Sequence, residues 1–121
     1  MKAVIAFAHG SRDPLWRAPI EAIAAQVRVQ DPSCLTRTAY LELCEPDLPT
    51  AARELVEAGA TEVRILPVFF GMGKHAREDL PELVRQLQAG YPYVRWECLP
   101  TAGENPELVK LLAQMALKDA A

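Results

Sequence analysis

The chain contains two histidines, and each follows an apolar run of the kind that forms a buried strand. His9 comes directly after residues 1–8, and His75 comes shortly after residues 63–70. Imidazole binds divalent metals and transfers protons near neutral pH. If the two strands are neighbours in a parallel sheet, both rings lie at the same edge, and the pair predicts a metal site there.

A carboxylate and several cations accompany the histidines. Glu42 and Glu45 end another strand-like run, and two histidines with one glutamate form a known ligand set for a catalytic metal with open positions. The histidine segments carry four cations although the net charge is −3, namely Arg12, Arg17, Lys74 and Arg77. Cations repel a metal, so they indicate an anionic ligand such as a carboxylate or phosphate. Solvated surface charge is the alternative for each one.

Glycines flank both histidines. Gly10 follows His9, and Gly71 and Gly73 precede His75. Glycine permits positive φ and a close approach of backbone to a ligand. Ordinary loop chemistry explains the same residues about equally well.

Composition excludes several classes of protein. A chain of 121 residues with 50% hydrophobic content predicts one domain, spanning residues 1–121. An acidic net charge predicts no nucleic-acid partner, and no apolar stretch is long enough to cross a membrane. The N-terminus does not resemble a signal peptide, so we expect a cytoplasmic protein. Three cysteines without a C-x-x-C pair predict buried free thiols rather than disulfides or a zinc knuckle.

Four strand patterns alternate with four helix patterns. Strands are predicted at residues 2–8, 35–43, 61–70 and 93–99, with Pro67 expected to cut the third strand or force a bulge. Helices are predicted from residue 18 or 19 to 30, at 48–58, from 77–79 to 90, and from 106 to about 118. Asp13-Pro14 is a candidate helical turn. His75 then falls in a flexible loop, residues 71–76.

This alternation predicts an α/β fold. We expect a three-layer sandwich in which a four-stranded parallel sheet of order 2-1-3-4 carries helices on both faces, as in flavodoxin-like and chelatase folds. Ligands bind such sheets at the carboxyl ends of strands 1 and 3, where the strand order reverses. His9 follows strand 1 and His75 follows strand 3. Neighbouring strands lie only about 4.8 Å apart, so the order brings the two histidines together.

Three blocks of sequence make the chain recognisable: HGSRDP at 9–14, LELCEPDLPTA at 41–51 and ILPVFFGMGKHAREDLP at 65–81. Together they resemble the short sirohydrochlorin chelatases of the CbiX type, in matching order from residue 1 to about 100. The resemblance implies ATP-independent insertion of Co²⁺ or Fe²⁺ into sirohydrochlorin or a related tetrapyrrole, in cobalamin or sirohaem biosynthesis. It also implies a homodimer, because the short members are similar to one half of the larger chelatases.

The resemblance assigns roles to particular residues. His9 and His75 match the metal-binding and catalytic histidines, and Glu42 matches the assisting carboxylate best. The metal, Co²⁺, Fe²⁺ or Ni²⁺, is a substrate, and no ATP or other nucleotide is expected; the chain has no phosphate loop. We expect the tetrapyrrole to contact residues of both histidine segments: Gly10, Ser11, Arg12, Met72, Gly73, Lys74 and Arg77.

Two other functions are compatible with parts of the sequence. A histidine-phosphatase-like enzyme also has His-Gly after its first strand, but its chemistry requires an arginine immediately before the histidine, where this chain has Ala8. A non-catalytic carrier of metal or tetrapyrrole would use the same ligands as a chelatase, so the sequence leaves that alternative open.

Overall fold

A computed structural model describes residues 1–119. Its four strands are β1 (Lys2–Ala8), β2 (Leu35–Tyr40), β3 (Glu62–Pro67) and β4 (Arg95–Cys98). They form one parallel sheet in the order β2-β1-β3-β4, as predicted. Because β1 and β3 are central neighbours, with Phe7 opposite Pro67, their carboxyl ends open at the same edge of the sheet.

Helices cover both faces of the sheet, with α1 (Ala18–Gln30) on one face and α2 (Leu48–Glu57) and α3 (Lys74–Gly90) on the other. A fourth helix, α4 (Pro106–Leu117), follows β4, and short 3-10 turns lie at Pro14–Arg17 and Ala102–Glu104. Alternate residues of β1 point to opposite faces, because side chains in a strand alternate. Ala3, Ile5 and Phe7 pack in the larger core with α2 and α3, while Ala6 and Ala8 pack with Ile20 of α1.

The apolar stripes of three helices predict their packing correctly. Leu48, Ala52 and Leu55 of α2 are buried, and so are Leu80, Val84 and Leu87 of α3. On α1, Ile20 is buried and Ile23 packs at the edge of the smaller core. These side chains hold the sheet and helices in fixed register, and thereby fix where the loops at the carboxyl edge begin.

Three strands end earlier than predicted. β2 stops at Tyr40 rather than residue 43, because the chain turns at Leu43, whose φ is 70°. β3 stops at Pro67 rather than residue 70, and Pro67 therefore ends the strand without a bulge. A proline has no backbone N–H to continue the ladder. β4 is also shorter, at Arg95–Cys98.

The largest error concerns the start of α3. The helix begins at Lys74, so His75 lies in its first turn and not in a loop. A start at residues 77–79 would leave Pro81 close to the beginning of the helix, where proline is tolerated better than in the interior. In the structure Pro81 lies inside the helix, and Gly73 with φ −65° and ψ 167° is the N-cap. Lys, His and Ala after Gly73 all tolerate helical geometry, so the helix extends back to the glycine.

Helix α4 lies outside the layers. Its contacts within residues 1–119 are mainly with the 3-10 turn at Ala102–Glu104, and none of its residues is buried.

None of the helices described in the chain combines the length and apolar character that crossing a bilayer requires.

Candidate functional site

His9 and Glu42 form the closest polar pair at the carboxyl edge. His9 Nε2 lies 3.1 Å from Glu42 Oε1, and both side chains are 56% exposed. The other ring nitrogen, Nδ1, is 3.3 Å from the carbonyl oxygen of Gly10. A carbonyl oxygen and a carboxylate oxygen both only accept, so the neutral ring can donate to one of these two partners, whereas the imidazolium can donate to both.

Backbone hydrogen bonds hold this pair in place. Leu41 N–H donates to the carbonyl of Ala8 at 2.9 Å, and Glu42 N–H donates to the carbonyl of His9 at 3.0 Å. The segments after β1 and β2 are thus joined beyond the ends of the strands. These two backbone hydrogen bonds order the chain on both sides of the pair. The distance between His9 and Glu42 is therefore set by the backbone as well as by the side chains.

Gly10 is the residue that permits this approach. Its φ is 102°, and a Cβ at this position would lie 1.9 Å from the carbonyl oxygen of Glu42. No other residue fits there without moving one of the two segments. The sequence suggested that Gly10 contacts a ligand; the structure shows that it contacts the backbone that carries Glu42.

His75 faces the same cavity from α3. A cavity of about 660 Å³ lies at this edge, which is within the range of small-molecule sites. It is lined by His9, Leu41, Glu42, Phe69, Gly71, Gly73, Lys74, His75, Ala76 and Asp79. The structure therefore brings both histidines and Glu42 to one cavity, as the strand order predicts. Within residues 1–119, no three His, Cys, Asp or Glu side chains lie close enough to hold a metal ion together.

Asp79 was missed in the sequence. It lines the cavity because it follows His75 by one turn of α3, and residues four apart share a helix face. That signal appears only once the helix is known to begin at Lys74. Lys74 supplies the cation of the cavity, opposite the carboxylates Glu42 and Asp79.

Several predicted ligand contacts lie elsewhere. Met72 and Arg77 line a neighbouring apolar cavity with Leu80, because the early start of α3 turns residue 77 away from His75. Ser11 accepts a hydrogen bond from Asp13 N–H at 3.0 Å, so its hydroxyl shapes the loop. Neither Ser11 nor Arg12 lines the cavity.

Glu45 is separated from the histidines as well. It lines an adjoining cavity with Cys44 and Asp47, whereas Glu42 lines both that cavity and the one that holds the histidines. Asp47 caps α2 there, and hydrogen bonds from Thr50 hold the pKa of Asp47 below its ordinary value. Of the two glutamates left open by the sequence, Glu42 is the one that reaches the histidines.

The loop after β4 supports the segment that leads to His75. The buried hydroxyl of Thr101 donates to the carbonyl oxygens of Phe69 at 3.0 Å and Pro67 at 3.3 Å. Gly103 N–H donates to Phe69 at 2.7 Å, and a Cβ on Gly103 would lie 2.3 Å from Phe70 Cα. These contacts fix Phe69, which lines the cavity.

A parallel sheet with helices on both faces, and with histidine and carboxylate side chains in a cavity at its switch point, defines the class, an α/β domain whose polar site lies at the carboxyl edge of the sheet. The particular family follows from comparison. The CbiX family model matches residues 3–118, and the chain belongs to the CbiX family.

Relatives of known name have similar sequences. The sirohydrochlorin cobaltochelatase of Methanopyrus kandleri is 33% identical over 84 residues, which cover 69% of this chain and 59% of that protein. The sirohydrochlorin ferrochelatase of Bacillus subtilis is 28% identical over 109 residues, 90% of this chain and 42% of that protein. The chain thus spans about 60% or less of the length of these curated relatives.

Solved structures have the same fold. The CbiX protein of Marinobacter aquaeolei VT8 superposes with a TM-score of 0.80 at 28% identity, covering 96% of this chain and 94% of that one. SirB of Bacillus subtilis subspecies spizizenii, a sirohydrochlorin chelatase in complex with cobalt, gives a TM-score of 0.78 at 27% identity. That match covers 96% of this chain and 50% of the SirB chain.

Proposed function

We propose that this chain inserts a divalent metal, Co²⁺ or Fe²⁺, into sirohydrochlorin or a related tetrapyrrole without ATP, as one CbiX-like domain. The observation that carries the proposal is the His9–Glu42 pair at 3.1 Å, in one cavity with His75, in a chain of the CbiX family. The names of its cobaltochelatase and ferrochelatase relatives support the substrate and both metals. Ni²⁺ is a third metal to test.

In this proposal His9 and His75 bind the metal through nitrogen. In the tautomer with its proton on Nδ1, His9 donates to the Gly10 carbonyl oxygen and Nε2, which lies beside Glu42 Oε1, is left for the ion. When a proton occupies Nε2 instead, the same glutamate pairs with the imidazolium. Metal and proton therefore compete for one atom, and metal binding weakens as the pH falls.

Insertion releases two pyrrole protons, so the cavity needs acceptors as well as ligands. Glu42 takes one proton near His9, and Asp79 supplies a second carboxylate on the His75 side. Lys74 at the rim has the charge to bind a carboxylate of the tetrapyrrole. Gly10, Ser11, Arg12, Gly73, Met72 and Arg77 keep a substrate-binding role only as part of this proposal, Met72 and Arg77 through the neighbouring apolar cavity.

The setting of the reaction is also proposed. Cys34, Cys44 and Cys98 are free, which supports a reducing compartment such as the cytoplasm.

The proposed protein partner is a second copy of the chain, and neither nucleic acid nor a membrane is a partner. Support for a second copy comes from the open face that a single four-stranded unit leaves at the cavity.

An assay of metal insertion into sirohydrochlorin tests the proposed activity. Purified protein is mixed with sirohydrochlorin and Co²⁺, Fe²⁺ or Ni²⁺ separately, and the visible spectrum is followed. We expect acceleration over the spontaneous rate with at least one metal. No acceleration with any of the three would refute the chelatase and favour the non-catalytic carrier, provided that the protein still binds metal or tetrapyrrole.

Single substitutions distinguish a loss of catalytic activity from a loss of folding. His9→Ala and His75→Ala should each remove most of the activity while circular dichroism stays unchanged. Glu42→Gln should lower the rate about 10²-fold or more, the range for one proton-transfer group. Glu45→Gln is the matched control, because Glu45 lies in the other cavity. Equal rates for the two Gln variants would contradict the role of Glu42.

A further inference from the structure

A second cavity shares a wall with the histidine cavity. Its volume is about 600 Å³, and it lies between α3 and the carboxyl ends of β3 and β4. His75 and Asp79 of α3 line the histidine cavity, whereas Arg77 and Val84 line the second cavity. At about 100° per residue, these pairs occupy neighbouring sides of one helix. The second cavity, here called the Arg77 cavity, therefore adjoins the histidine cavity across the first turns of α3.

The walls of the Arg77 cavity are mainly apolar. Leu80 and Val84 of α3 are buried side chains in this lining. Two lining residues carry charge, Arg77 and Glu104. The hydroxyl of Thr101, which also lines the cavity, already donates to two backbone carbonyl oxygens. Such a cavity suits a ligand with an apolar body and a single charged end.

The guanidinium of Arg77 is available to an anion. It forms no ion pair among residues 1–119, although Arg85, two turns later on α3, pairs with Glu82. A guanidinium binds a carboxylate through two parallel hydrogen bonds, which fixes the direction of the ligand as well as its charge. Glu104 reaches the same cavity from the turn after β4 and repels a second anion. The cavity therefore suits one carboxylate on an apolar stem.

We propose that the Arg77 cavity binds one peripheral carboxylate arm of the tetrapyrrole, while the ring lies over the two histidines. This inference rests on the proposed function and names a recognition pocket for the same substrate. Sirohydrochlorin carries carboxylates on short alkyl stems around its ring, so each arm has an apolar stem and an anionic end. Lys74 and Arg77 lie three residues apart, one in each cavity. They therefore hold different arms, and together they fix the rotation of the ring above the metal site.

A binding titration without metal tests this pocket. Metal-free sirohydrochlorin is titrated with the protein and followed by its visible spectrum. Arg77→Gln should raise the Kd about tenfold or more, the scale of hydrogen bonds to charged groups. Arg77→Lys should recover part of the loss, because it restores the charge without the planar fork. Arg85→Gln is the matched control on the same helix outside the cavity, and it should bind as the wild type does.

The carboxylate in the cavity gives an effect of opposite sign. Glu104→Gln removes the charge that repels the arm, so the Kd should fall severalfold. A residue that only supports the fold does not tighten binding when it is replaced. The affinity for Co²⁺, titrated separately, should be the same in the Arg77→Gln, Glu104→Gln and wild-type proteins, because neither side chain lines the histidine cavity.

The outcomes for the pocket and for the proposed activity are distinguishable. An Arg77→Gln variant with the Kd of the wild type would overturn the pocket, and so would an equal loss in Arg85→Gln or a Glu104→Gln variant that binds no more tightly. Metal insertion by the wild type would stand in each of these cases. A wild-type chain that binds sirohydrochlorin through Arg77 but inserts no metal would refute the chelatase and leave the pocket established.

Discussion

Replacing Gly10 by alanine tests whether the His9–Glu42 geometry depends on the backbone. An alanine Cβ would meet the Glu42 carbonyl oxygen at 1.9 Å, whereas real Cβ atoms essentially never approach below 3.0 Å. One of the two segments must therefore move by about 1 Å, because packed interiors do not absorb such an overlap. The hydrogen bond from Glu42 N–H to His9 and the side-chain pair at 3.1 Å both span the place where this movement occurs.

Two effects of Gly10→Ala follow, and they are measured separately. A non-glycine residue in left-handed backbone costs about 1–2 kcal/mol, and overpacking adds about 1–3 kcal/mol, so the free energy of unfolding should fall by roughly 2–5 kcal/mol. A misplacement of about 1 Å at a catalytic group lowers rates on the order of 10²-fold. Urea unfolding reports the first effect, and metal insertion under folding conditions reports the second.

Two other glycines provide the controls. Gly59 also has positive φ, at 104°, but a Cβ there would meet only Met1 Sδ at 3.7 Å, far from the cavity. Gly59→Ala should destabilise the fold by about 1–2 kcal/mol without lowering the rate. Gly71 lines the cavity with open space around it, so Gly71→Ala should change little. A Gly10→Ala variant with wild-type rate, or one no slower than Gly59→Ala, would refute the positioning argument.

Three further predictions concern single side chains. Asp79→Asn should slow metal insertion at least tenfold while Glu78→Gln, its neighbour outside the cavity, has no effect; equal rates would remove Asp79 from the site. Thr101→Val removes the hydroxyl that donates to the Pro67 and Phe69 carbonyl oxygens, of which Phe69 keeps the hydrogen bond from Gly103 N–H, and should lower the free energy of unfolding in urea by about 1–3 kcal/mol. Asp47→Ala should cost about 1 kcal/mol at pH 7 as a lost N-cap, whereas Asp47→Asn keeps the cap. Because the pKa of Asp47 is lowered in the fold, its ionic stabilisation is present above about pH 4 and lost as pH falls through the folded pKa. Asp47→Asn should therefore show a shallower loss of stability between pH 5 and pH 2 than the wild type, and identical curves would contradict this.

The strand order of the sheet and the proximity of the two histidines could be predicted from the sequence. Both follow from the order of strands and helices along the chain, which strong local patterns of apolar residues indicate. β1 is apolar throughout, and its bounds are those predicted. The alternation of strands and helices restricts the topology to very few arrangements, and 2-1-3-4 places His9 and His75 at one edge. No detailed knowledge of loops was required for that step.

The lining of the cavity was less predictable because it depends on where one helix begins. A start three to five residues earlier than predicted changes which side chains of α3 face His75, since each residue rotates the helix face by about 100°. Asp79 was therefore missed, and Arg77 lines the neighbouring apolar cavity together with Met72. For Gly10 the sequence indicated a possible positive φ and a close approach but not the Glu42 carbonyl oxygen as the partner, and Gly103 gave no signal, because the atoms that both glycines approach belong to segments remote in sequence.

The two proposed metal ligands lie on elements that are held independently. His9 is fixed to the segment after β2 by backbone hydrogen bonds, while His75 belongs to α3, which packs against β4 and α2. Each histidine therefore keeps its place whether or not an ion lies between them. If His9 and His75 bind the ion as proposed, its departure breaks coordination bonds without disturbing the core. A site that must deliver its metal to another molecule needs this property, whereas a closed structural site with four protein ligands stabilises the fold through the metal and resists its loss.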